Sequence, residues 1–215
     1  MIQTVGITKA ITNLNEAHAK LNLNQTTDSK FFTEWFENLP ELTESEKASL
    51  NRLKNRYLYY AADGSITEGT VNIIMLSPLL ELMGLCDPPF KIQSEQLVKV
   101  EIENGGKEEP VLEGFIDTLV VQNQFWLVLI ESKRYGLSVM QALGQTLAYM
   151  MANPNLEMPV FGMITTGEDY IFIKLNQQAR QYALSNKFTL SNPRENELYE
   201  VMQVMKRIIS LILQP

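Results

Sequence analysis

Gly114-Phe115-Ile116-Asp117 and, beyond a polar break at Gln122-Asn123-Gln124, Val128-Leu129-Ile130-Glu131-Ser132-Lys133 decide how this chain is read. Both are apolar runs of strand character bounded by turn residues. Each carries a carboxylate, and the second adds a lysine two residues later. Unpaired charge is costly to bury, so a charge in an apolar strand has a reason. A bound divalent cation is one such reason.

Residues two apart on a strand project from the same face, so Glu131 and Lys133 share one. With Val121 facing Phe125 across the turn, Asp117 faces Leu129. It then lies diagonally beside Glu131, roughly 7–8 Å away between Cα atoms. A slip of one residue would send Asp117 to the other face. Carboxylate oxygens suit Mg²⁺ or Mn²⁺. A chain with one His and one Cys is a poor source of zinc ligands. A hard cation activates water and neutralises charge on a phosphoryl group, which points to phosphodiester cleavage. Lys133 would set a fixed positive charge beside that phosphate. The acid-x-lysine triplet alone is weak evidence, because Asp28-Ser29-Lys30 repeats it in a polar connection. An edge hairpin with a solvated Glu131–Lys133 pair has the same spacing.

The chain has 215 residues, 45% of them hydrophobic, enough for one sizeable globular domain. Its single cysteine, Cys86, excludes an internal disulfide and suits a reducing, cytoplasmic setting. The start has no basic region leading into an apolar run, so no signal peptide is expected. The longest apolar stretch, 73–85, is broken by Ser77, Pro78, Glu81 and Gly84, so no membrane span is expected either. The net charge of −7 argues against strong sequence-independent DNA affinity. Metal-binding carboxylates would be part of that acidic count.

Helices are expected over 7–22, 31–39 and 43–60, the last opened by a Thr43/Glu46 capping box. Residues 1–62 thus read as a helical N-terminal extension. A helix over 65–83 should kink at Ser77-Pro78. Strands come next at about 95–103, 111–121 and 125–133. Ser138 caps a helix running to Asn153-Pro154. Two strands, 159–165 and 170–175, flank a turn at Thr166–Asp169, and a last helix covers 196–213. Residues 63–215 therefore read as an α/β core, a mixed sheet flanked by helices.

Gln145 and Tyr149 are four residues apart and share a helix face directly after the strand bearing Lys133. That face can look back toward a metal; equally, Tyr149 can be core with Gln145 flanking it. Taken in order, Asp117, Glu131-Ser132-Lys133 and Gln145-Thr-Leu-Ala-Tyr149 resemble the PD-(D/E)XK nuclease superfamily. The Gln-x-x-x-Tyr element is similar to the N-terminal nuclease domain of type I restriction endonuclease motor subunits. The resemblance covers about residues 66–175 and departs from the pattern at Ile116, where proline is usual. No Gly-x-x-x-x-Gly-Lys loop occurs, so the ATP-driven motor is absent from this sequence.

The resemblance implies a restriction-endonuclease-like fold and Mg²⁺- or Mn²⁺-dependent cleavage of DNA. It implies Asp117, Glu131 and the Ser132 carbonyl as metal ligands. Lys133 would stabilise developing charge or orient water. Gln145 and Tyr149 would position the scissile phosphate or brace Lys133. The family also uses a glutamate on its first core helix, matched here by Glu68, with Glu81 as second choice. Ser65-x-x-Glu68 reads as a capping box as well. DNA is the expected partner, with a helicase or specificity subunit and a second copy of the chain as further ones. One rival is a nuclease fold kept as a binding or accessory module without turnover. Another is an unrelated α/β scaffold whose Glu131–Lys133 pair is structural.

Arg52, Lys54, Arg56, Tyr57, Tyr59 and Tyr60 form a basic and aromatic cluster that suits either a phosphate backbone or a solvated helix face. His18 reads as a surface residue. Met140, Met150, Met151, Met202 and Met205 read as core or interface filler. The final helix is apolar enough to pack on the sheet or across a dimer.

Overall fold

The computed structural model describes residues 4–102, 111–122, 125–132 and 138–213, with the backbone alone for 125 and 127–132. In chain order the elements are β1 (Thr4–Gly6), α1 (Ile7–Ala10), α2 (Leu14–Leu21), β2 (Asn24–Gln25) and α3 (Glu44–Ala61). Then come α4 (Glu68–Val71), a π-helical turn (Asn72–Leu76) and α5 (Ser77–Leu82) as one continuous helical segment. Next are β3 (Lys91–Glu101), β4 (Val111–Gln122), β5 (Phe125–Ser132) and α6 (Val139–Met151). β6 (Val160–Thr165), β7 (Asp169–Asn176), β8 (Gln181–Leu184), β9 (Phe188–Thr189) and α7 (Leu198–Leu213) complete the chain.

Among the described residues, nine strands form one mixed sheet in the order β1-β4-β5-β6-β7-β8-β2, with β3 also on β4 and β9 on β7. β4–β5 and β6–β7 are antiparallel pairs, whereas β5 and β6 are parallel and joined through α6. Such a parallel step needs a crossover, and α6 supplies it. Helices cover both faces. Leu119 and Val121 join a core made with α1, α2 and α6, while Val120 between them joins a core made with α3, the α4–α5 segment and α7. Burial on both faces explains why these strands read as continuous apolar runs. Among the described residues, no helix is long and apolar enough to cross a membrane.

The N-terminal portion is not purely helical. β1 pairs in parallel with β4, and β2 pairs in parallel with β8, so residues 4–25 are built into the sheet. Strands this short carry no readable periodicity. The helix expected over 31–39 is absent: the segment forms turns, with Asn38 in the left-handed region (φ 54°). Its aromatic residues are poor helix formers, and Leu39-Pro40 stops any helix. Burial fixes it instead. Lys174 Nζ donates to Glu34 Oε1 at 2.5 Å and lies 5.6 Å from the Phe31 ring centroid. His18 is not a free surface side chain, since its Nε2 is 2.9 Å from the Tyr182 hydroxyl. α7 packs within the chain, burying Leu198, Val201, Met205 and Ile208.

The capping box at Thr43 and Glu46 forms as the spacing predicts. Glu46 also receives a 2.6 Å hydrogen bond from Lys206, which ties α3 to α7. That Lys206 bond, with the Thr43 amide second in effect, holds the Glu46 carboxyl below its usual range. The folded value is depressed, so the stabilisation is complete above the unfolded value of about 4.3 and is lost as pH falls through the folded one. Thermal melting should therefore fall on acidification below about pH 4.3, with a shallower fall in Glu46→Gln. Thr43→Ala should cost about 1 kcal/mol in denaturant titration at neutral pH.

Candidate active site

β4 has two edges. β3 takes one of them, from Lys91 opposite Val121 to Glu101 opposite Val111. The other is shared: β1 pairs with Val111–Glu113, and β5 pairs with Thr118–Gln122. Gly114–Asp117 lies between these two partners. Beyond Ile130, β5 continues along β6, with Glu131 beside Ile164 and Ser132 beside Thr165. The sheet is thus split at Asp117.

The register differs from the expected one. Val121 faces Trp126, not Phe125, and Gln122 faces Phe125. Continued unchanged, that register would bring Asp117 level with Ile130. A bulge between Val120 and Val121 shifts it by one residue, so that Thr118 pairs with Ile130. Extended by one residue past its last pair, this register sets Asp117 level with Glu131. A bulge adds one residue to one strand and re-aims the residues beyond it, and no alternation rule reveals it.

A second irregularity lies on the opposite edge. The β3–β4 register passes from Ser94–Thr118 to Gln96–Ile116, omitting Glu95 and Asp117. Glu95 adopts φ 51°, a left-handed conformation uncommon outside glycine. Both strands change face here. Val98, Val100, Leu112 and Ile116 belong to the core under α6, whereas Ile92, Ser94 and Thr118 line a cavity on the other side.

That cavity, of about 370 Å³, brings Glu68 and Asp117 together, with Asn72, Leu76, Leu80 and Glu95 also on its wall. Glu68 is the first residue of α4. The N-cap is Thr67, whose hydroxyl accepts from the Thr70 amide, so the Ser65/Glu68 capping box does not form. Glu68 and Asn72 share a face by ordinary helical spacing, and the π turn brings Leu80 onto the same wall. In a regular α-helix, Glu68 and Leu80 would be ~120° out of line. The π turn accommodates an extra residue and reduces this to ~20°. Pro78 lacks the N–H that would bond the Ile74 carbonyl, and Arg56 donates to that carbonyl instead at 3.2 Å. The helix therefore continues through Ser77-Pro78.

Glu81 belongs to a separate cavity on the far side of α5, with Arg52 and Arg56. Much of the basic cluster is structural: Arg56 caps Ile74, Lys54 bonds the carbonyls of Asn192 and Glu195, and Tyr57 is core. Lys133 lies outside the described residues, and of Glu131 and Ser132 only the backbone path is described. Tyr149 is buried in the core under α6, and Gln145 is half-buried on the same helix. Among the described residues, no group of three or more His, Cys, Asp or Glu side chains is arranged to hold a metal ion. Glu68 and Asp117 are oxygen donors suited to a hard cation, and Glu131 would be the third carboxylate. The reading from sequence missed Asn72 and Glu95. Asn72 carried a signal, being one helical turn after Glu68.

Gly114 is where Tyr149 meets the strand. A Cβ there would sit 2.8 Å from Tyr149 Cε1 and 3.3 Å from Ile7 Cβ. Gly114→Ala should therefore cost about 1–3 kcal/mol by overpacking. In a Tyr149→Leu background the cost should be smaller, and a double-mutant cycle in denaturant measures the coupling. Additive costs would contradict this contact.

No protein-family model matches the chain, and no curated protein matches it.

Proposed function

We propose that the chain is a metal-dependent endodeoxyribonuclease-like protein with a restriction-endonuclease-like, PD-(D/E)XK-type core. The observation that carries this reading is the shared cavity of Glu68 and Asp117, two of the residues that the motif pattern selects. The register step that brings Asp117 level with Glu131 supports it further.

In this reading Glu68, Asp117, Glu131 and the Ser132 carbonyl hold Mg²⁺ or Mn²⁺. When bound, the ion supplies charge neutralisation at the phosphoryl group and lowers the pKa of a bound water. The chain's own groups do the positioning. Lys133 sets a positive charge beside the scissile phosphate, where negative charge builds up as the bond breaks. Gln145 orients that phosphate or braces Lys133. Tyr149 acts through the strand it packs on, holding β4 at Gly114, three residues before Asp117. A net charge of −7 weakens the general attraction to DNA. That favours a partner that delivers the substrate, such as a helicase or specificity subunit, or a second copy of the chain.

Purified protein incubated with plasmid DNA and Mg²⁺ or Mn²⁺ should cut it, and EDTA should abolish the cutting. Lys133→Ala should lower the rate about 100-fold or more. Glu68→Gln should lower it about 10- to 100-fold. Cutting that survives both EDTA and Lys133→Ala would overturn the mechanism. Metal binding without cutting, under every DNA form supplied, would favour the accessory-module reading.

A further inference from the structure

Resting on that reading, we infer that Asn72 is a further metal-binding residue of the site, contributing a neutral amide oxygen to the divalent cation held by Glu68 and Asp117. Asn72 stands one turn after Glu68, at the first position of the π turn, and lines the same cavity as Glu68 and Asp117. Its Oδ1 is buried and has no hydrogen-bond partner among the described residues. Buried carbonyl oxygens are almost always paired, so an orphaned one needs an account. A structural account is weak here. The backbone carbonyl of Asn72 is already satisfied by the Ser77 amide and by the Ser77 hydroxyl at 2.9 Å. The side-chain oxygen therefore adds nothing to closing the turn, while an apolar residue of similar shape would avoid the desolvation cost.

Cation binding accounts for it. Amide oxygens are ordinary ligands of hard cations, alongside carboxylates. A neutral oxygen fills a coordination position without adding to the repulsion between the two carboxylates.

The test uses the full chain and Mn²⁺ itself, with free Mn²⁺ measured by electron paramagnetic resonance and melting recorded with and without the ion. The wild type should bind Mn²⁺ and melt higher in its presence. Asn72→Leu should bind about tenfold more weakly or worse, while melting at or above the wild-type temperature without metal. Asn72→Asp should keep at least wild-type affinity, because it retains the oxygen and adds charge. Asn72→Leu affinity within twofold of wild type would overturn the inference and leave the nuclease reading intact. So would weakened binding in Asn72→Asp, which also decides the matter if the leucine variant fails to fold. A wild-type chain that binds no Mn²⁺ would overturn the nuclease reading and this inference together.

Discussion

The candidate site depends on the shared edge of β4. A strand has two edges, and β3 takes one of them from Val111 to Val121, omitting Asp117. On the other, β1 and β5 each cover one end, leaving Gly114–Asp117 between them. Had β5 stayed paired with β4 to its end, Asp117 would sit in a continuous ladder and the sheet would be closed at that point. Instead β5 leaves with β6, and a carboxylate occupies the split. Gly114 then matters because this stretch has its support on the face of the sheet that α6 covers. Tyr149 supplies it, at a distance that leaves no room for a Cβ.

Two backbone irregularities converge on the same residue. The bulge on the β5 side brings Asp117 level with Glu131, and the left-handed Glu95 on the β3 side goes with the change of face. Either one alone would misplace Asp117. Without the bulge it would stand level with Ile130. Without the change of face, Thr118 would point into the core with Ile116 rather than line the cavity with Glu68. Irregularities of this kind cost stability and persist where the surroundings impose them, which is why they gather at working sites.

The sequence made the α/β class legible, along with the β4–β5 hairpin, the α6 crossover, the β6–β7 pair and the Thr43 cap. These are long, strongly patterned segments whose apolar periodicity has one reading. β1, β2, β8 and β9 were not legible, because two to four residues hold no period. The 31–39 segment misled for the opposite reason. Its aromatic spacing looks helical, yet it records which residues are buried rather than which torsions they adopt. At the site, Asp117 and Glu68 were selected by residue type in the right order. Their meeting depends on a bulge, a face change and a π turn, and none of these is visible in a residue pattern. Asn72 lay within reach of helical spacing but has no charge to draw attention.

The same segment shows why residue type and role separate. The basic cluster on α3 invites a nucleic-acid reading, yet Arg56 serves the helix that carries Glu68. Pro78 removes the amide that would cap the Ile74 carbonyl, and a guanidinium from the neighbouring helix replaces it. The π turn, Pro78 and Arg56 thus form one device. The turn aligns Leu80 with Glu68 and Asn72, the proline begins the next helical turn, and the arginine satisfies the carbonyl left over. An arginine outside the cavity in this way helps fix the wall on which Glu68 stands. The cavity wall accordingly rests on a helix irregularity and its arginine partner as much as on the carboxylates themselves.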